Sequence, residues 1–369
     1  MSGGFIGSYI AVVRIAAVLI LFFTTACSPH EDRRYTRIVT DMAGRTMGVP
    51  DTIKRVYVNR PGALMLYALA PELLVNRSFR MTDSGRRFMK ESWLTLPYVD
   101  GSAEEIIRLK PDVIISCFTI DAKSMADARR LEEKTGIPVF QVPLDMSRYE
   151  KTFMVLGTLL DRKEQAERMT GFLHAYLDEL LSKAREIPPS RKVRVYYAEG
   201  DRGLQTDPSG SFHSEILERV GARNVAEVPI TGGKGMSSVS MEQILFWDPD
   251  VILVWTGMGP SLTTLLEIES DSLWAKARAV RQKRLFQIPL QPFGWFDRPP
   301  GTNRILGAIW TAQLLYPDLY RFDITRITRE YFRIFYHHEL TESELREVLD
   351  PHAEPLPEKG ARTNKSKGL

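Results

Sequence analysis

The chain has 369 residues, 44% of them hydrophobic and 26% charged. That length suits two domains of ordinary size, and that balance excludes an extensively disordered chain and a bundle of membrane spans. The formal net charge of +3 resides in the two ends, Arg14 and the tail 351–369, and the stretch from Cys27 to Asp350 is balanced. A uniformly basic nucleic-acid surface is therefore not expected.

The apolar run Ile15 to Ala26 follows the lone basic Arg14. It is too short to span a bilayer and suits the apolar part of an export signal. It ends in Thr24-Thr25-Ala26-Cys27, which resembles the lipobox of bacterial lipoproteins. The resemblance implies a leader over 1–27 and acylation of Cys27, so that a lipid anchor holds the protein facing the periplasm or the cell exterior. With Cys27 used in this way, Cys117 is left unpaired and no structural disulfide is expected.

The body repeats. Ser102-Ala-Glu-Glu-Ile-Ile-Arg-Leu-Lys-Pro-Asp-Val-Ile-Ile recurs in register as Ser240-Met-Glu-Gln-Ile-Leu-Phe-Trp-Asp-Pro-Asp-Val-Ile-Leu. Each copy predicts a Ser-capped helix with a capping box closed by Glu105 or Gln243, a stop at Lys110-Pro111 or Asp248-Pro249, and a buried strand, Val113 to Ser116 or Val251 to Val254. Arg55-Val-Tyr-Val and Arg194-Val-Tyr-Tyr read as first strands, and Phe140-Gln-Val-Pro and Phe286-Gln-Ile-Pro as later ones. Short apolar strands alternating with helices predict an α/β protein of two lobes, 37–147 and 190–350, each with a mainly parallel sheet.

Within the connecting region 148–189, apolar residues from Ala166 through Phe172, Tyr176 and Leu180 to Ile187 share one helical face. They predict a single long helix over Lys163 to Ile187, about 37 Å in length, stopped by Pro188-Pro189. Such a connector implies small hinge angles. The tail 351–369 is expected to be disordered.

Taken together, the doubled segments, the leader with Cys27, the opening stretch Arg55 to Ala63 and the segment Phe293 to Leu306 resemble the bacterial substrate-binding proteins of ABC importers for ferric siderophores, haem and cobalamin. The resemblance spans roughly Arg37 to Tyr316. It implies a monomer without intrinsic cofactor that captures a metal chelate, ferric by preference, and passes it to a permease with a cytoplasmic ATPase. It also implies that one exposed glutamate per lobe, Glu104 and Glu242, docks on the permease. Alternatives within the fold are a corrinoid such as cobalamin, haem, or an oxyanion such as molybdate or tungstate. A two-lobed metallocluster-related enzyme is a further alternative, with Cys117 its only candidate ligand.

In open α/β sheets, ligands lie beyond the carboxyl ends of strands. The first-lobe exits supply Asn59, Arg60, Arg80 and Phe118, and the second-lobe exits supply Trp255 and the loop Gln291 to Arg304. Guanidinium forks suit anionic oxygens. Consecutive aromatics in a Gly/Pro-rich loop are costly to expose unless they meet a ligand, so Trp295, Phe296 and Arg298 are expected in the cleft. No Gly-x-Ser-x-Gly or Walker loop occurs, so hydrolase and NTPase chemistry lack their residues and the chain reads as a non-enzyme. The six histidines show no metal-ligand spacing, and no metal site is expected.

Overall fold

The structure, a computed structural model, describes residues 35–99, 101–230, 236–257 and 263–350. The leader with Cys27, the Gly232-Gly233-Lys234-Gly235 loop and the tail 351–369 lie outside the described residues.

An antiparallel hairpin of β1 (Arg37–Thr40) and β2 (Thr46–Val49) precedes the first lobe. That lobe holds a parallel sheet of β3 (Val56–Val58), β4 (Val113–Phe118) and β5 (Val139–Pro143) in the order β3-β4-β5, with helix α3 (Ala122–Thr135) between β4 and β5 in the chain. The second lobe is built on β6 (Arg194–Ala198), β8 (Arg223–Asn224), β10 (Val251–Val254) and β11 (Leu285–Gln287), parallel in the order β11-β10-β6-β8. The short strands β7 (Gln205–Thr206) and β9 (Ser237–Ser238) pair beside it. The expected α/β architecture with parallel sheets is the one observed.

The repeated segment owes its register to capping. Helix α2 (Ala103–Leu109) starts where the Ser102 hydroxyl accepts from Glu105 N, and α6 (Met241–Trp247) where Ser240 accepts from Gln243 N, both at 3.2 Å. Only the second copy closes the reciprocal capping box, through Gln243 Oε1 and Ser240 N at 3.0 Å. Both helices end on a left-handed residue, Lys110 at φ 47° and Asp248 at φ 43°. The aspartate of each Pro-Asp pair then accepts from backbone at or just before the first strand of its lobe: Asp112 from Lys54 N and Arg55 N at 2.7 and 2.9 Å, Asp250 from Arg194 N at 2.8 Å. The likeness of the two halves thus rests on satisfying backbone donors at equivalent turns.

Between the lobes runs α5 (Lys163–Glu186), 24 residues and about 36 Å long. Its apolar face is buried as its spacing requires, with Ala166, Met169 and Leu180 at 0% exposure and Phe172 at 1%. Burying each of the larger side chains contributes about 1.5–3 kcal/mol. The antiparallel partner α4 (Tyr149–Leu159) packs along it.

A second tie between the lobes was not visible in the sequence. The C-terminal segment, with α8 (Ile324–Tyr331) and the turn of π-helix Phe332–Tyr336, returns to α1 (Ala63–Leu69) of the first lobe. There Tyr67 Oη donates to Tyr336 O at 3.2 Å, and Gln165 Nε2 donates to both Ala68 O and Ile334 O at 2.8 Å.

Candidate functional site

The carboxyl ends of both sheets face a cleft, and the first lobe presents cations there. Arg60 follows β3 and Arg80 follows the segment paired with it; both are exposed. They meet at Tyr98, whose hydroxyl accepts from Arg60 Nη2 at 3.3 Å and whose ring lies 5.3 Å from the Arg80 guanidinium carbon. An aromatic face attracts a guanidinium and holds it without neutralising it, so the Tyr98 ring leaves Arg80 its charge. Tyr98 escaped the sequence reading because its place depends on a bridge to Arg77 that no local pattern announces. Phe118, 47% exposed, ends β4 beside this cluster and lines a groove of about 450 Å³ with Asn59 and Arg60.

Asn59 also has a structural role. Its Oδ1 accepts from Cys117 N at 3.1 Å and Gly62 N at 3.3 Å, and its Nδ2 donates to Cys117 O at 3.2 Å. The amide is spent on joining the exits of β3 and β4. Cys117 itself is buried, and burial pushes its thiol up to about 12, which makes it an inert core side chain.

The second lobe treats its arginine differently. Arg298 Nε and Nη2 donate to Glu199 Oε1 at 3.0 and 2.9 Å, and Nη2 donates to Asp207 Oδ2 at 2.6 Å. Asp297 lies 3.4 Å away, and the guanidinium stacks 5.1 Å from the Trp255 ring. Asp297 in turn accepts from Tyr197 Oη at 2.8 Å and lies 2.7 Å from His213 Nδ1. Burial opposes the arginine's charge, but Asp297 foremost, with Tyr197, Glu199 and Asp207, more than offsets it and raises the pKa. Glu199, fully buried, is driven far above the usual carboxylate range by desolvation first and then by repulsion from Asp297. Asp207, His213 and Asp297 bring ligand-type atoms within 4.8 Å of one another, a grouping that sequence spacing does not show. The Arg298 guanidinium supplies the positive charge at that point.

The expectation that Trp295 and Phe296 wall the cleft is corrected by their burial, 1% exposed each. Trp295 Nε1 donates to Gln291 O at 2.9 Å, and Phe296 packs 4.8 Å from the Tyr197 ring. Two features let a loop enter the core. Gly307 on α7 (Asn303–Leu315) offers a bare backbone, where a Cβ would overlap Trp295 O, and Asn303 Nδ2 donates to Pro299 O at 3.0 Å and to Gly294 O. The helix itself starts at Asn303, at the end of this loop.

Across the cleft, Arg80, Met81 and Thr82 of the first lobe face Gly257, Gln291 to Gly294 and Arg298 of the second around a cavity of about 20 Å³, room for about one water molecule. Gln291 Nε2 donates to Ser84 Oγ at 2.9 Å, and Phe79 meets Phe293 at 5.7 Å, closing that side. Trp255 Nε1 is buried with no hydrogen-bond partner among the described residues. Glu104 and Glu242 occupy matching places in the first turns of α2 and α6, both exposed.

A family model described as periplasmic binding protein matches residues 65–292. The chain belongs to that family. An ABC transporter solute-binding protein from Sulfurospirillum deleyianum is 32% identical, with a TM-score of 0.77 over 85% of this chain and 98% of its own. The molybdate-binding protein MolA of Haemophilus influenzae is 25% identical over 334 residues, 81% of this chain and 91% of that protein. Its solved structure with molybdate bound superposes with a TM-score of 0.62 at 22% identity over 83% and 99% of the two chains, a likeness of fold. Family members are transport components that work outside the cytoplasmic membrane with a permease and an ATPase. Among the described residues, no helix is long and apolar enough to cross a membrane.

Proposed function

We propose that this periplasmic binding protein captures a small inorganic oxyanion of the molybdate or tungstate class and delivers it to its importer. The observation that carries the reading is the pairing of Arg80 and Arg298 from opposite lobes around one narrow cavity, while the bulky Trp295 and Phe296 are withdrawn into the core. Several small facts support it. Arg80 is exposed, so its side chain can swing to admit a tetrahedral anion and then supply a bidentate fork. The relationship to a molybdate-binding protein points the same way. Capture on these terms makes and breaks no covalent bond.

A second reading, a ferric or other metal chelate, is favoured by the exposed Phe118 and Tyr98 beside the groove of about 450 Å³, a size within the usual range for organic ligands. Native mass spectrometry of protein isolated from its own envelope separates the two. The oxyanion reading requires a bound mass matching an inorganic oxyanion, and an organic chelate in its place overturns it.

Two further elements complete the proposal. Cys27 carries the lipid anchor, so Cys27→Ala releases soluble protein; a mature chain that already begins beyond Cys27 contradicts this. Glu104 and Glu242 dock on the permease, so reversing both to Arg abolishes uptake with cargo affinity intact. A matching loss of affinity would place them in the capture site.

A further inference from the structure

Arg304 belongs to none of the roles above, and its surroundings are unusual. It sits in the first turn of α7 with 1% of its surface exposed. A buried charge is tolerated only when paired and hydrogen-bonded, and its partners come from both lobes. Nη1 donates to Glu215 Oε2 of the second lobe at 2.9 Å. Nη2 donates to Leu144 O at 2.6 Å and to Tyr149 Oη at 2.8 Å, both in the chain leaving β5 of the first lobe. The guanidinium carbon lies 4.4 Å from the Phe212 ring centroid.

The contacts close on themselves. Glu215 also accepts from Arg219 Nε at 2.5 Å, and Arg219 Nη2 reaches Asp145, the neighbour of Leu144, at 2.9 Å. A ring of charges therefore crosses the lobe boundary and returns. The seam also reaches the cargo loop. Tyr149 Oη donates to Gly301 O at 3.0 Å, and a Cβ at Gly301 would stand 3.0 Å from Leu64 Cβ of α1. Asn303, next to Arg304, fixes Pro299 and Gly294 on either side of Arg298.

We infer that Arg304 is a positioning residue for capture: through Tyr149 and Gly301 it sets the distance between the first lobe and the loop carrying Arg298, without touching the cargo. The long helix α5 limits how the lobes rotate, and this seam sets where the loop rests. The inference rests on the reading that places cargo against the Arg298 loop, and takes molybdate as its probe.

The test uses Tyr149→Phe, which removes one hydroxyl and is the milder change, and Arg304→Lys, which keeps the charge but cannot reach three acceptors at once. Hydrogen exchange is followed by mass spectrometry, and molybdate association and release by stopped flow. In both variants, exchange across Gln291 to Gly301 and the rate of molybdate release should each rise roughly threefold to tenfold, the worth of about one net hydrogen bond, with association nearly unchanged. Unchanged exchange and release in both variants overturn the inference. So does a rise in exchange spread evenly over both lobes, which marks a general stability element. If the unsubstituted protein binds no molybdate, the oxyanion reading falls, and the exchange data still decide the seam.

Discussion

The two lobes each present arginines beyond strand exits and use them in opposite ways. In the first lobe, the exposed Arg80 lies over the ring of Tyr98, an uncharged partner. In the second, Arg298 is surrounded by Glu199, Asp207 and Asp297, each fully buried. A cation that keeps its charge attracts an anion from solution, whereas one already matched by acids gives shape and stiffness to a wall. The first lobe accordingly supplies the attraction in this account, and the second supplies a fixed surface against which the cargo is held.

This contrast makes the two arginines separable by experiment. Arg298→Ala should have the largest effect, and on folding: it leaves the buried acids without their counter-charge, a change that costs about 3–5 kcal/mol, read by urea unfolding. A variant as stable as the parent would show that the second-lobe network is dispensable. Arg80→Ala should leave stability unchanged and weaken molybdate binding roughly tenfold to a hundredfold, the loss of a charge-assisted contact worth about 1.5–3 kcal/mol. Titration calorimetry measures it, and an unchanged affinity would remove Arg80 from the site.

Glu199 sharpens the comparison through pH. Its carboxyl is pushed up to about 9 in the folded protein from an ordinary 4.5. A group raised in this way contributes stability that is fully present below pH 4.5 and lost as the pH climbs through neutrality toward about 9. Glu199→Gln keeps an acceptor for Arg298 and removes the titration, so it should flatten that slope. Its melting temperature should exceed the parent's at about pH 8.5 and not at about pH 5; parallel curves would mean that Glu199 is already ionised. The smallest effect is expected from Phe118→Ala, less than about twofold on oxyanion affinity, because no charge-assisted contact is lost. A large loss there would favour the chelate reading.

Much of this fold could be read from the chain because its signals are local. The Ser cap, the left-handed stop and the Pro-Asp turn fall within a dozen residues, and the buried face of α5 follows a helical period that no distant contact has to explain. The site was less legible. Trp295 and Phe296 lie in a segment whose composition resembles an exposed loop, and the bare backbone that receives them belongs to Gly307, on a helix that comes later in the chain. The acids around Arg298 are Glu199 and Asp207, about a hundred residues away in sequence. Whether an arginine is free or neutralised depends on such distant partners, so the exits could be located while their charge state could not. Tyr98 and Arg304 were missed for the same reason.

The central claim is that cargo is held between the lobes, with Arg80 on one side and Arg298 on the other. A crystal of the protein soaked with tungstate, recorded at the tungsten absorption edge, tests it most directly. The account predicts one anomalous peak in the gap between those two guanidinium groups, with Trp295 and Phe296 still in the core. A peak in the groove beside Phe118 and Asn59, or none between the lobes, would contradict it.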